Sequence, residues 1–175
     1  MYSLWASTTV PLEFSTLRGE YTADAVVIGG GLAGILTAYF LQEKGVHTIV
    51  LEANTIGCGQ SQNTTAKITS QHGMIYQKLI QSFGEEAARQ YARANEQAIA
   101  KYKQLILDKH IHCQFQQCPA YIYSVQKSSP LQQEAAAAEK LGLPAEFTKQ
   151  TNLPFEVAGA VKFHNQAQFH PLKFL

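Results

Sequence analysis

Residues Ala23 to Glu52 read ADAVVIGGGLAGILTAYFLQEKGVHTIVLE. The stretch opens on Ala25-Val26-Val27-Ile28, an apolar run rich in β-branched residues and short enough for a buried strand. Gly29, Gly31 and Gly34 follow at once on the G-x-G-x-x-G spacing. Leu32, Ile35, Leu36, Ala38, Tyr39 and Leu41 then recur as on a helix, which stops at Lys44-Gly45 as a helix with a C-terminal glycine does. A second strand, His47 to Leu51, ends on Glu52.

Each part has a physical role. Gly29 lets the chain turn sharply out of the strand, Gly31 leaves room for a pyrophosphate, and Gly34 lets the helix approach the sheet closely. The amides at the helix start face the phosphates, where the helix dipole favours negative charge. Glu52, 18 residues past Gly34, falls at the tip of the neighbouring strand. Its carboxylate there can accept both hydroxyls of an adenosine ribose and disfavours a 2′-phosphate. The glycine spacing alone recurs by chance in loops. In the order strand, glycines, helix, strand, acid, it marks a dinucleotide site.

With 175 residues the chain can bury a core, and its length suggests one domain or a little more. Net charge is +1 with 15% charged residues and no basic run, so no footprint for nucleic acid or an anionic membrane surface is present. Apolar stretches are interrupted well before the length of a membrane span. The N-terminus lacks the basic start and apolar core of a secretory signal. Cys58, Cys113 and Cys118 are too few and too scattered for a disulfide framework, which points to a reduced, cytoplasmic protein.

Residues 1–22 form an arm without clear period, in which Trp5 is expected to pin the arm to the domain. After Glu52 a polar loop of small residues runs from Gly57 to Lys67, and a loop of that length in a compact domain usually binds something. Ile75, Leu79, Ile80 and Phe83 predict a short helix ending near Gly84. A long one follows from Glu85 to about Lys109, with Ala88, Tyr91, Ala92, Ala98, Ile99, Tyr102, Leu105 and Ile106 on one stripe. From Ile111 the period changes to two, predicting a strand through Gln117, and Tyr121-Ile122-Tyr123 follows. A helix from Ser129-Pro130 to Leu141-Gly142, a strand from Val157 to Phe163 and a helix start at His170-Pro171 complete the chain. His110, His112, Cys113 and Cys118 are soft-metal ligand types, but their spacing lacks two good ligand pairs, so no metal is expected.

DAVVIGGGLAGILTAYFLQEKGVHTIVLEA resembles the N-terminal FAD-binding motif of the D-amino-acid-oxidase-like flavoprotein oxidoreductases, which include glycine oxidase and sarcosine oxidase. GCGQSQNTTAKITSQHG resembles that family's second flavin-contacting segment. GAVKFHNQAQFHPLKFL is similar to the strand, loop and helix start that lead back into the FAD domain. SLWASTT, TTAKITSQHG and NQAQFHP together look most like a subgroup whose full chains end in a Rieske iron–sulfur domain. The resemblance implies FAD contacts at Gly29, Gly31, Leu32, Ala33 and Gly34 for the pyrophosphate and at Glu52 and Ala53 for the adenosine ribose. In the loop it implies Gln60, Ser61, Thr65, Ala66 and Lys67, although many relatives carry small residues and glycine where this chain has Gln-Asn-Thr-Thr-Ala-Lys. It assigns no catalytic residue.

The expected class is α/β: a Rossmann-like FAD-binding βαβ unit with an incomplete parallel sheet, plus the start of an antiparallel α+β substrate domain. Residues 1–73 form the FAD-binding unit with its arm and loop, 74–110 a helical segment on it, 111–163 a partial substrate domain, and 164–175 a return towards the FAD domain. The family needs roughly twice this length or more, and no C-x-H with C-x-x-H pair is present to hold a Rieske cluster. The chain therefore looks like the N-terminal portion of a larger flavin-dependent oxidoreductase that takes a hydride from a small amine or amino acid. An NAD-dependent dehydrogenase fragment and a non-catalytic, partner-binding remnant are the alternatives. With its sheet and helical stripe left uncovered, the isolated chain is expected to bind FAD weakly or not at all, and to self-associate or need a second chain.

Overall fold

A computed structural model describes residues 3–175. In chain order the first elements are α1 (Leu4–Ser7), β1 (Ala25–Ile28), α2 (Leu32–Gln42), β2 (Thr48–Leu51), a 3-10 turn over Gln60–Asn63 and β3 (Lys67–Ile68). After them come α3 (Tyr76–Asp108), β4 (Gln116–Gln117), β5 (Ala120–Ser124) and α4 (Ser129–Lys140). The chain closes with β6 (Ala145–Thr148), β7 (Gly159–Phe163), β8 (Ala167–Gln168) and α5 (Pro171–Phe174). The architecture is mixed α/β, with one parallel and two antiparallel sheets. The chain divides into two units: residues 3–66, 111–114 and 170–175, and residues 67–110 and 115–169.

The first unit holds the βαβ motif. β1 and β2 pair in parallel from Ala25 opposite Thr48 to Ile28 opposite Leu51. A parallel pair needs a crossover, and α2 supplies it. α2 ends as its sequence predicts: Gly45 has φ +79° and Val46 N–H donates to Leu41 O at 3.1 Å, which closes the last turn. Asp24 and His47 then bring the two strands into register, with Asp24 N–H donating to His47 O at 3.0 Å and His47 N–H to Asp24 Oδ2 at 3.0 Å.

The second unit carries two three-stranded antiparallel sheets, ordered β3-β8-β4 and β5-β7-β6. Its core joins Tyr76, Ala88 and Ala92 of α3 to Leu131, Ala135 and Ala138 of α4 and to Val161 and Phe163 of β7. The Tyr76 and Phe163 rings stack with centroids 5.9 Å apart. The helical run of α3 is broken at Gly84 (φ +81°, ψ 165°), where the sequence places the boundary between two helices.

Three expectations are corrected. Residues 111–115 are not strand: His110 (φ +52°) and Gln114 (φ +54°) are both left-handed, so the alternation there is accidental, and only Gln116–Gln117 pair. A strand over Ala145–Thr148 was not anticipated; four residues with a charge in the middle carry little periodic signal. It is held by pairing with β7, including a Lys162–Glu146 ion pair at 3.3 Å. The apolar stripe of α3 is not an exposed patch. Ala88, Ala92, Ile99, Leu105 and Ile106 are buried, Tyr102 is half-buried, and Tyr91 and Ala98 remain exposed.

Candidate functional site

The turn between β1 and α2 is built from backbone groups. Gly29 adopts φ +104°, where a side chain is strained, and its N–H donates to Leu51 O at 2.7 Å, tying the turn to β2. A Cβ placed on Gly34 would lie 1.9 Å from Gly29 O, so only glycine allows α2 to start this close to the turn. Gly31 caps α2 in an extended conformation without a side-chain bond of its own. Ile35 N–H to Gly31 O, 2.9 Å, is the first bond of the helix, which leaves the earlier amides for partners from outside it.

One such partner comes from the loop. Ser61 Oγ, buried in the 3-10 turn, accepts from Leu32 N–H at 2.9 Å. A Cβ on Gly31 would meet that hydroxyl at 3.0 Å, so Gly31 and Ser61 are a matched pair. Glu52 is gathered to the same place. Its Oε2 accepts from Gly30 N–H at 2.7 Å and its Oε1 from Asn54 N–H at 2.9 Å. The Gly30 amide above all, then those of Asn54 and Ala53, holds the carboxyl below the usual carboxylate range.

The structure thus brings together Gly29, Gly31, Leu32, Gly34, Glu52 and Ser61 through direct contacts, with Ala33 in the first turn of α2 and Ala53 next to Glu52. The other loop residues divide. Ala66 is buried with φ +61°, its N–H donating to Thr64 Oγ1 at 3.1 Å. Gln60 and Thr65 are exposed, and Lys67 opens β3 in the second unit, exposed opposite Gln168.

Several contributors were missed by sequence reasoning. Gly30, the unassigned middle glycine, supplies the amide to Glu52, and a Cβ there would meet Ile56 Cδ1 at 2.4 Å. A third consecutive glycine was the available signal. The arm fixes the loop from outside: Ser3 Oγ donates to Gln62 O, and Trp5 Nε1 donates to Thr64 O at 2.9 Å. Trp5 therefore does the pinning expected of it.

His170, buried, caps α5 through Nδ1, which accepts from Lys173 N–H at 3.2 Å. The neutral ring thus carries its proton on Nε2, beside Thr8 Oγ1 at 3.0 Å and Thr9 Oγ1 at 3.2 Å. Its ring also meets Trp5 edge-on at 5.0 Å. Burial, then the Lys173 charge, pushes His170 below the ordinary histidine range. Only the helix start at His170-Pro171 was visible in the sequence.

A cleft of about 640 Å³ adjoins Glu52, bounded by residues 12–17 of the arm and by residues 49–56. A smaller cavity of about 200 Å³, lined by residues such as Val10, Pro11, Ile56, Cys58 and Leu172, includes neither Glu52 nor the glycines. Among the described residues no group of three or more His, Cys, Asp or Glu could hold a metal ion, and Cys58 and Cys118 are free thiols. No helix among them is long and apolar enough to cross a membrane.

With this geometry in place, known proteins give a consistent comparison. Residues 24–175 match the DAO family model, described as FAD dependent oxidoreductase. The Bacillus subtilis protein YhfW, named as a Rieske 2Fe-2S iron-sulfur protein, is 36% identical over 173 residues, covering 98% of this chain and 34% of that protein. Gamma-glutamylputrescine oxidoreductase of Escherichia coli is 25% identical over 166 residues, covering 91% of this chain and 39% of its own. The fold is that of L-amino acid deaminase from Proteus myxofaciens, with a TM-score of 0.72 at 15% identity over 95% of this chain and 37% of that one. Glycine oxidase from Geobacillus kaustophilus gives 0.61 at 16% identity over 87% of this chain and 42% of that one. The chain spans little more than a third of the length of the two curated relatives.

Proposed function

The chain belongs to the DAO family of FAD-dependent oxidoreductases, and from that premise we propose that its glycine turn, Glu52 and the loop after β2 hold FAD in a protein that oxidises a small amine or amino acid. Gly29, Gly31, Leu32, Ala33 and Gly34 take the pyrophosphate, and Glu52 and Ala53 the adenosine ribose. Gln60, Ser61, Thr65, Ala66 and Lys67 belong to the same site. The observation that carries the reading is the hydrogen bond from Gly30 N–H to Glu52 Oε2, which couples the acid to the phosphate turn.

The donors and acceptors fit the group. Each Glu52 oxygen accepts one amide and keeps a lone pair for a ribose hydroxyl. Ser61 Oγ accepts from Leu32, so its own proton can be donated to a phosphate oxygen. Glycines at 29–31 keep side chains away from the helix start, where amides and dipole favour an anion. When bound, FAD supplies the hydride-accepting ring system, and this chain's residues position it.

The amine or amino-acid class is supported by the named activities of relatives: a gamma-glutamylputrescine oxidoreductase, a glycine oxidase and an L-amino acid deaminase. Because the chain spans little more than a third of its curated relatives, turnover is assigned to the assembled protein that contains it.

Titration with FAD against the Gly31→Val variant tests the site. The valine side chain would crowd Ser61 Oγ, already 3.0 Å from a Cβ at that position, and is expected to abolish binding. A Gly31→Val chain that binds FAD like the wild type would remove the glycine turn from the site. A peroxide assay tests the assignment of turnover: the 175-residue chain alone is expected to oxidise neither glycine nor sarcosine, and unaided oxidation of either would overturn it.

A further inference from the structure

Residues 11–20 of the arm are all exposed, including Leu12 at 50%, Phe14 at 76% and Leu17 at 50%. Yet the arm does not run free. Its root is held by the Trp5 bond to Thr64 O and by the contacts of Thr8 and Thr9 with His170. Residues 12–17 then form one wall of the cleft of about 640 Å³ whose other wall is residues 49–56, Glu52 among them. An arm packed directly on β2 would bury its leucines and phenylalanine; this one stands off from the strand and encloses space instead.

We propose that the arm is the apolar wall of the adenine subsite, with Leu12, Phe14 and Leu17 against the base while Glu52 takes the ribose. The inference rests on the reading of the glycine turn as an FAD site and adds residues outside every motif. Three observations select the nucleoside half of the dinucleotide as occupant. The volume lies within the range of small-molecule pockets, about 300–1,000 Å³. The lining includes two carboxylates, Glu13 and Glu52, and no cation, so a phosphate is repelled and a neutral base with its ribose is not. The cleft is continuous with the Glu52 carboxylate, whose bond to Gly30 leads directly to the phosphate turn. Apolar side chains on one wall and a hydroxyl acceptor on the other match a flat base joined to a sugar diol.

Hydrogen exchange of the 175-residue chain with ADP, which carries the adenosine and pyrophosphate without the flavin, tests this. ADP is expected to slow exchange at residues 12–17 together with residues 29–34, whereas inorganic pyrophosphate slows only 29–34. Phe14→Ser combined with Leu17→Ser should weaken ADP binding about ten-fold, the scale of one lost stacking contact. Tyr21→Ser, on the same arm, 61% exposed and outside the cleft, should leave it unchanged. Because these side chains are exposed, the variants retain the fold. Protection of 29–34 by ADP without protection of 12–17, or wild-type affinity in the double variant, overturns the arm's role while the FAD site stands. Protection of 12–17 by pyrophosphate alone also overturns it. No protection of either segment by ADP overturns both readings.

Discussion

At Gly34 a single missing methyl group decides whether the turn can exist. A Cβ would sit 1.9 Å from Gly29 O, a backbone atom that cannot swing aside. Gly34→Ala is therefore expected to destabilise the chain by about 3 kcal/mol, the upper end of the overpacking range, and to abolish FAD binding. Thermal unfolding beside an FAD titration checks it, and a wild-type Tm would contradict it. Glu52 makes a pH prediction. Its folded pKa is depressed by the Gly30 and Asn54 amides, so its contribution is fully present above the ordinary carboxylate pKa and lost as pH falls through the lower folded value. Glu52→Gln should remove that part of the acid dependence and weaken FAD binding; an unchanged acid-unfolding profile and affinity would take Glu52 out of the site. The turn glycines and Glu52 were legible because the turn fixes residue type by sterics and by backbone bonding, which the spacing records; Ser61 was implied by the family resemblance alone. The contact of the arm with His170 was not legible, since Thr8 and His170 meet across 162 positions and no periodicity spans that gap.

Among the elements, the strongly patterned ones were readable. α2 and α4 announce their ends with glycine and proline, and the break in α3 falls on Gly84, whose φ of +81° with ψ of 165° suits glycine alone. β6 and the false strand at 111–115 were not readable, because pairing with β7 and left-handed residues, rather than local propensity, set their conformation. The start of α3 was read within a residue of its place, but what caps it was hidden. Its first amides are satisfied from α4 by the buried Glu134, which accepts from Tyr76 N–H at 2.8 Å and Gln77 N–H at 3.1 Å. Glu134→Ala should cost about 1–2 kcal/mol through loss of this cap. Chemical denaturation measures the effect, and a change within error would show that the helix start does not depend on it.

For the whole molecule the exposed parallel sheet governs association. Among the described residues β1 pairs only with β2, while Val26 is 54% and Ile28 87% exposed. An unpaired apolar strand edge invites association. The chain is expected to self-associate at micromolar concentration, and Ile28→Lys should reduce the association. Size-exclusion chromatography with light scattering reads this directly; a monomeric wild type would contradict it. The stripe on α3 is a weaker candidate, because Ala88, Ala92, Ile99, Leu105 and Ile106 are buried. FAD binding at the glycine turn underlies both the site and the arm's role, and amide NMR during an FAD titration addresses it residue by residue, even at millimolar affinity. Resonances of Gly29 to Gly34 and Glu52 should shift with saturation behaviour. Shifts confined to other residues, or none at millimolar FAD, would contradict it.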